Sequence, residues 1–161
     1  MRVAGLVVAF GLLAPAAFAQ ALVNDGKPMA LQIQAKHANG LIVQLSGIQA
    51  GLSETVITAQ LVNGNRKKIA LAHTPRSTFL QTPDGQRYAL SPPENNDRLE
   101  IEGRTKLEGE LVFLGRLPEV DKVTLVINED FGSTEEFANL PKLVIPIPLA
   151  AAAYTGESKK N

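Results

Sequence analysis

Short runs in which apolar and polar residues alternate recur roughly every ten residues from Leu31 onward, with glycine, proline or asparagine between them. Successive side chains of a strand point to opposite faces, so a period of two marks strands with one buried face. Repeated with turn residues between the runs, it predicts an all-β sandwich or barrel.

Leu31, Ile33 and Ala35 alternate with Gln32 and Gln34, and beyond His37-Ala38-Asn39-Gly40 the pattern resumes with Leu41, Val43 and Leu45, which reads as a hairpin. Residues 55–62 are rich in β-branched side chains and end in Asn63-Gly64-Asn65, whose residues tolerate positive φ. The simplest continuation is a second hairpin into residues 68–72, with Arg66, Lys67 and Lys68 at the bend. A third joins 78–81 to 86–90 through Thr82-Pro83-Asp84-Gly85, where Pro presets one turn dihedral and Gly relieves another. Residues 91–97 form the longest polar loop. Residues 99–102 read as a short strand, 110–114 as an apolar strand buried on both sides, and 123–127 and 142–147 complete the set. Pro146 and Pro148 lack the amide donor that a central strand needs, which puts the last strand at an edge. Ser133-Thr134 before Glu135-Glu136 has the look of a helix start, worth one turn.

One phase of these strands gives the expected core: Leu31, Ile33, Val43, Leu45, Ile57, Leu61, Phe79, Tyr88, Leu111, Phe113, Leu125 and Ile127.

The N-terminus has the three parts of an export signal. Arg2 is followed by an apolar run from Val3 to Leu13 and then by Ala14-Pro15-Ala16-Ala17-Phe18-Ala19, which offers small residues at the two positions signal peptidase reads. The run is too short for a spanning helix, which needs about 20 apolar residues. Residues 1–19 are therefore expected to be a signal peptide cut before Gln20, residues 20–149 the domain, and residues 150–161 a frayed tail. The mature protein is expected to be periplasmic or secreted, with no stable membrane anchor. The absence of cysteine excludes a lipid-modified Cys, disulfides and thiol chemistry. It suits a bacterial periplasm better than a eukaryotic secretory route.

Losing Arg2 leaves 15 Lys plus Arg against 16 Asp plus Glu, counted from 16 of each. A balance near minus one provides no basic face for nucleic acid.

From Leu41 to Ile127 the order of features resembles the telokin-like immunoglobulin-fold domains of bacterial secreted proteins and lipoproteins, a family of unknown function. The resemblance rests on Val56 to Val62 ending in Asn63-Gly64-Asn65, on Phe79-Leu80-Gln81-Thr82-Pro83-Asp84-Gly85-Gln86-Arg87-Tyr88, and on Leu107-Glu108-Gly109-Glu110-Leu111-Val112-Phe113. It implies an immunoglobulin-like β-sandwich of about eight strands. It implies no tether here, since this chain lacks the lipid-modified Cys and polar linker common in that family.

Candidate chemistry is sparse. His37 and His73 are the side chains that titrate near neutral pH without perturbation, and both fall at turns, where solvated roles are expected. Ser77, His73 and Asp84 could be imagined as a triad, but no Gly-x-Ser-x-Gly elbow holds the serine. Glu94-Asn95-Asn96-Asp97 and Asn128-Glu129-Asp130 collect hard oxygens of the kind calcium takes, without the spacing of an EF-hand. Arg66-Lys67-Lys68 could grip an anion or could protect a strand edge from pairing. Glu100, Glu102, Glu108 and Glu110 alternate with apolar residues and read as outer strand faces. No catalytic residue, metal ligand or cofactor is assigned. The expected function is a non-catalytic envelope module that binds a protein or cell-envelope component. The alternative is a periplasmic small-molecule carrier of β-barrel type.

Overall fold

The computed structural model describes residues 21–150. The expected signal peptide and cleavage site, and residues 151–161 of the expected tail, lie outside them.

A short 3₁₀ turn at Val23–Gly26 leads into β1 (Met29–Lys36), β2 (Leu41–Ala50) and β3 (Glu54–Asn63). Then come β4 (Ile69–Ala70), β5 (Phe79–Gln81), β6 (Arg87–Ser91), β7 (Glu100–Ile101), β8 (Lys106–Leu114), β9 (Lys122–Ile127) and β10 (Leu143–Pro148). Eight strands join in the order β1-β2-β3-β8-β6-β5-β9-β10, and β4 pairs with β7 apart from them. All pairings between strands are antiparallel.

β6 and β8 meet through only two register pairs, Leu90 with Phe113 and Ser91 with Val112. At this seam the sheet turns over on itself. Leu31, Val43, Ile57 and Phe113 from one half and Leu80, Tyr88, Leu125 and Ile147 from the other belong to one buried cluster. That is the packing of two stacked sheets, an all-β sandwich. Within the first layer β1, β2 and β3 form a meander, where the immunoglobulin order carries its third strand to the other layer.

The hairpins expected at residues 37–40 and 82–85 are present, with Ile33 opposite Leu45 and Leu80 opposite Tyr88. The one expected from 55–62 into 68–72 is not. β3 makes nine register pairs with β2 and nine with β8, so both its edges are taken, while Ile69 and Ala70 pair with Ile101 and Glu100. Two long ladders outweigh the local turn preference of Asn63-Gly64-Asn65.

Residues 110–114 are not buried on both sides. Leu111 and Phe113 are in the core, Val112 is half-buried, and Leu114 is 56% exposed, because the outer face of β8 meets solvent. β10 ends the strand order and presents Pro146 and Pro148 outward, as an edge strand can. Residues 133–138 make a turn, with the Ala138 N–H on the Glu135 carbonyl.

Ten of the twelve expected core residues lie in the cluster. Ile33, on edge strand β1, is half-buried and packs against it. Phe79 is 1% exposed but belongs to the other face. It pairs with Ala89 and Val126, whereas its neighbour Leu80 pairs with the core residues Tyr88 and Leu125. What buries Phe79 from outside is Arg87, whose guanidinium lies 4.3 Å from the ring centroid. Glu129 holds that guanidinium by two bonds of 2.6 and 2.8 Å, so β5 is covered on both faces.

Candidate functional site

One end of the sandwich is built from three turns that buried polar side chains lock together. The β1-β2 turn supplies the first lock. His37 is 8% exposed. Its Nδ1 accepts the Asn39 N–H at 3.1 Å, and its Nε2 lies 2.8 Å from the Ser133 carbonyl. A backbone N–H only donates and a carbonyl only accepts, so this pair of bonds calls for the tautomer with the proton on Nε2. Asn39 adds a bond from Nδ2 to the Ala138 carbonyl at 2.7 Å, while its Oδ1 accepts the Leu41 N–H. These two side chains fasten both ends of the 133–138 turn to β1-β2.

Asn63, fully buried at the end of β3, supplies the second lock. Its Nδ2 donates toward the carbonyls of Lys67, Ile101 and Glu102 at 2.9 to 3.1 Å, and its Oδ1 accepts the Asn65 N–H. The Asn65 carbonyl in turn accepts the Arg104 N–H at 2.8 Å. The backbones approach closely. A Cβ on Gly64 would lie 2.8 Å from the Gly40 carbonyl oxygen, and one on Gly103 2.1 Å from that of Arg66. Only glycine fits at either place.

These locks carry a cleft of about 350 Å³ bordered by Asn39, Asn65, Arg66, Arg104, Glu136 and Phe137. Phe137 is 84% exposed at the tip of its turn. Neither Arg66 nor Arg104 has an ion pair among the described residues, whereas Lys68 is drawn away to Glu100 at 2.9 Å and Glu102 at 3.6 Å. The Arg66-Lys67-Lys68 cluster is thereby divided, one cation spent on the small β4-β7 sheet and Arg66 presented to the cleft. The Lys68 ammonium holds Glu100 below the usual carboxylate range, chiefly through their hydrogen bond; burial opposes this, and the charges of Lys68 and Arg98 add smaller contributions in the same direction as the bond. Guanidiniums beside an open aromatic ring suit a ligand with an anionic group and an apolar or planar part.

The other sequence candidates are occupied elsewhere. His73 is not a solvated turn residue: it is half-buried, bonded through Nδ1 to Arg98 at 3.1 Å and edge-on to Phe131 at 4.9 Å between centroids. His37 departs from that expectation more fully, for the reasons above. The Ser77 hydroxyl bonds within its own turn, to Thr74. Asp84 accepts from Thr82, which lowers its pKa. Ser77, His73 and Asp84 therefore bond to other groups and not to one another.

Asn128 is fully buried and donates from Nδ2 to the carbonyls of Ala70 and Pro141. Glu129 holds Arg87, and Asn96 closes its own loop onto Glu100. Among the described residues no three His, Asp or Glu side chains are placed to hold a metal ion.

The sequence marks Phe137 only as an aromatic set among polar residues at 133–138, and nothing in it marks Arg104.

No family model matches the chain, and no curated protein does. A solved structure of a functionally unknown protein from Listeria monocytogenes EGD-e is similar over 85% of this chain and 97% of that one, at 11% identity and a TM-score of 0.47.

Proposed function

We propose that this chain is an exported, non-catalytic envelope module that recognises a protein or cell-envelope component through the loop end of its sandwich. The observation that carries the reading is Phe137, held 84% exposed on a turn fastened by His37 and Asn39, beside Arg66 and Arg104. An open aromatic on a rigid mount is a low-entropy anchor, and burying it in a partner is where its binding energy comes from. The export-signal pattern at the N-terminus and the resemblance to telokin-like secreted domains agree with a role outside the cytoplasm.

The test immobilises the mature protein, exposes it to envelope extract and compares it with Phe137→Ser and with the double variant Arg66→Glu/Arg104→Glu. A species captured by the wild type and lost by both variants, with melting unchanged, is the expected result. Equal capture by all three proteins would show that the loop end is not the binding surface.

A further inference from the structure

We propose a second binding surface, distinct from the loop end: the free edge of β8, built to accept an extended peptide carrying an aliphatic residue flanked by cations. β8 pairs with β3 along its length, but on its other side it meets β6 only at Val112 and Phe113. The stretch Lys106 to Glu110 is therefore an open edge among the described residues. Its phase follows from the ladder. The Asn63 N–H bonds the Thr105 carbonyl and the Gly115 N–H bonds that of Ser53. Bonded pairs alternate along an antiparallel ladder, so Leu107, Gly109 and Leu111 turn their backbone groups toward β3. Glu108 and Glu110 turn theirs outward, as a strand with an unfilled side does.

Behind this edge lies a notch of about 130 Å³, lined by Ala59, Leu61, Leu99, Leu107 and Leu111, with Pro93 on the far bank. Gly109 leaves it open. Its partner Ala59 faces the core, yet a Cβ built on Gly109 would meet nothing within 4 Å. A strand added to Glu108 and Glu110 would point every second side chain inward, and the one facing Gly109 would enter this apolar notch.

Its two neighbours would point outward, across from Glu108 and Glu110. Glu110 has no ion pair among the described residues, and Glu108 is shared with Lys106 and Gln60. The loop between Pro93 and Leu99 carries the exposed Glu94 and Asp97, without ion pairs among the described residues, while its one cation, Arg98, is paired with Glu100. Opposite charges at facing positions favour pairing and like charges oppose it. The edge therefore selects a cationic partner and disfavours a second copy of itself, whose carboxylates would face these.

The probe is a short synthetic peptide with Lys-Leu-Lys at its centre between β-branched residues, compared with Glu-Leu-Glu and Lys-Asp-Lys versions by fluorescence anisotropy on the mature protein. Lys-Leu-Lys is expected to bind the wild type and the Phe137→Ser variant alike. It should weaken about tenfold in Glu108→Lys/Glu110→Lys, which then prefers Glu-Leu-Glu. Leu107→Ser, at a half-buried position that packs against the core, should weaken binding; should it also unfold the domain, the charge-reversal pair carries the test alone. Absence of binding to the wild type, equal binding by the charge-reversed variant, or equal binding of Lys-Asp-Lys would overturn the proposal. So would a wild-type dimer, seen by sedimentation, that competes with the peptide. None of these results bears on the loop-end reading, whose variants leave β8 untouched.

Discussion

Asn128→Ala is expected to be among the most damaging single substitutions in this domain. Asn128 follows β9, is 0% exposed and sits at φ 51°. Its side chain accepts the His73 N–H at 3.0 Å and donates to the carbonyls of Ala70 at 2.8 Å and Pro141 at 3.1 Å. It thereby ties residues 70–73, which share no ladder with β9 or β10, to the chain just before β10. Alanine removes all three bonds and strands their partners, at about 1 kcal/mol each at the low end for unsatisfied groups. It also loses the tolerance of Asn for left-handed backbone, worth about 1 kcal/mol more. The sum, about 4 kcal/mol, is a large share of the 5 to 15 kcal/mol typical of a domain. At this size it corresponds to a fall in Tm on the order of 10 °C.

Urea denaturation of three variants separates the causes. Asn128→Gly should lose the bonds but not the backbone fit, and be about 1 kcal/mol more stable than Asn128→Ala. Asn128→Asp should be the worst, because it turns a carboxylate oxygen toward two carbonyls. An Asn128→Ala midpoint within about 0.5 kcal/mol of wild type, the range of ordinary surface changes, would refute the view of Asn128 as a lock.

Phe113→Ala should cost about 3 to 5 kcal/mol, since it empties a fully buried position at the seam between the layers; a wild-type denaturation midpoint would contradict this. Arg87→Ala should cost only about 1 kcal/mol, because the exposed Glu129 pair and the cover over Phe79 are its main contributions, and its effect should exceed that of Glu129→Ala if covering the ring matters. His37→Ala should speed hydrogen exchange at Ser133 to Ala138, measured by mass spectrometry, and unchanged exchange there would refute its fastening role. The pH dependence has a defined sign. Glu100 is lowered when folded, so its contribution is present above the unfolded carboxylate range and fades as pH falls through the folded value. Lys68 is raised above 10.5, so its share persists to higher alkalinity and fades beyond that. Lys68→Met should flatten both limbs of the stability curve, and an unaltered acid limb would contradict the pairing.

The amino-acid sequence by itself determined the strands and the tight turns, because each depends on neighbours a few residues apart. The alternation from Leu31 to Leu45 sets one buried face and Asn39-Gly40 the reversal. Thr82-Pro83-Asp84-Gly85 does the same between β5 and β6, and Pro146 and Pro148 forbid a central position for β10. Tertiary structure alone decided which strands become neighbours. Asn63-Gly64-Asn65 is locally a good hairpin turn, yet β3 spends both edges on β2 and β8, and β4 is left to β7. Phe79 has the phase of a core residue only if one face of β5 is assumed dry; Arg87, held by Glu129, makes the second face dry as well.

The polar locks follow the same division. An Asn or His in a turn has the same sequence appearance whether water or a distant carbonyl satisfies it. Burial against carbonyls of other segments makes His37, expected as a solvated turn residue, and Asn63, expected only as a turn residue, the fastenings of the loop end that carries Phe137 and the two arginines. It makes Asn128, expected in a calcium-type loop, a lock between residues 70–73 and Pro141.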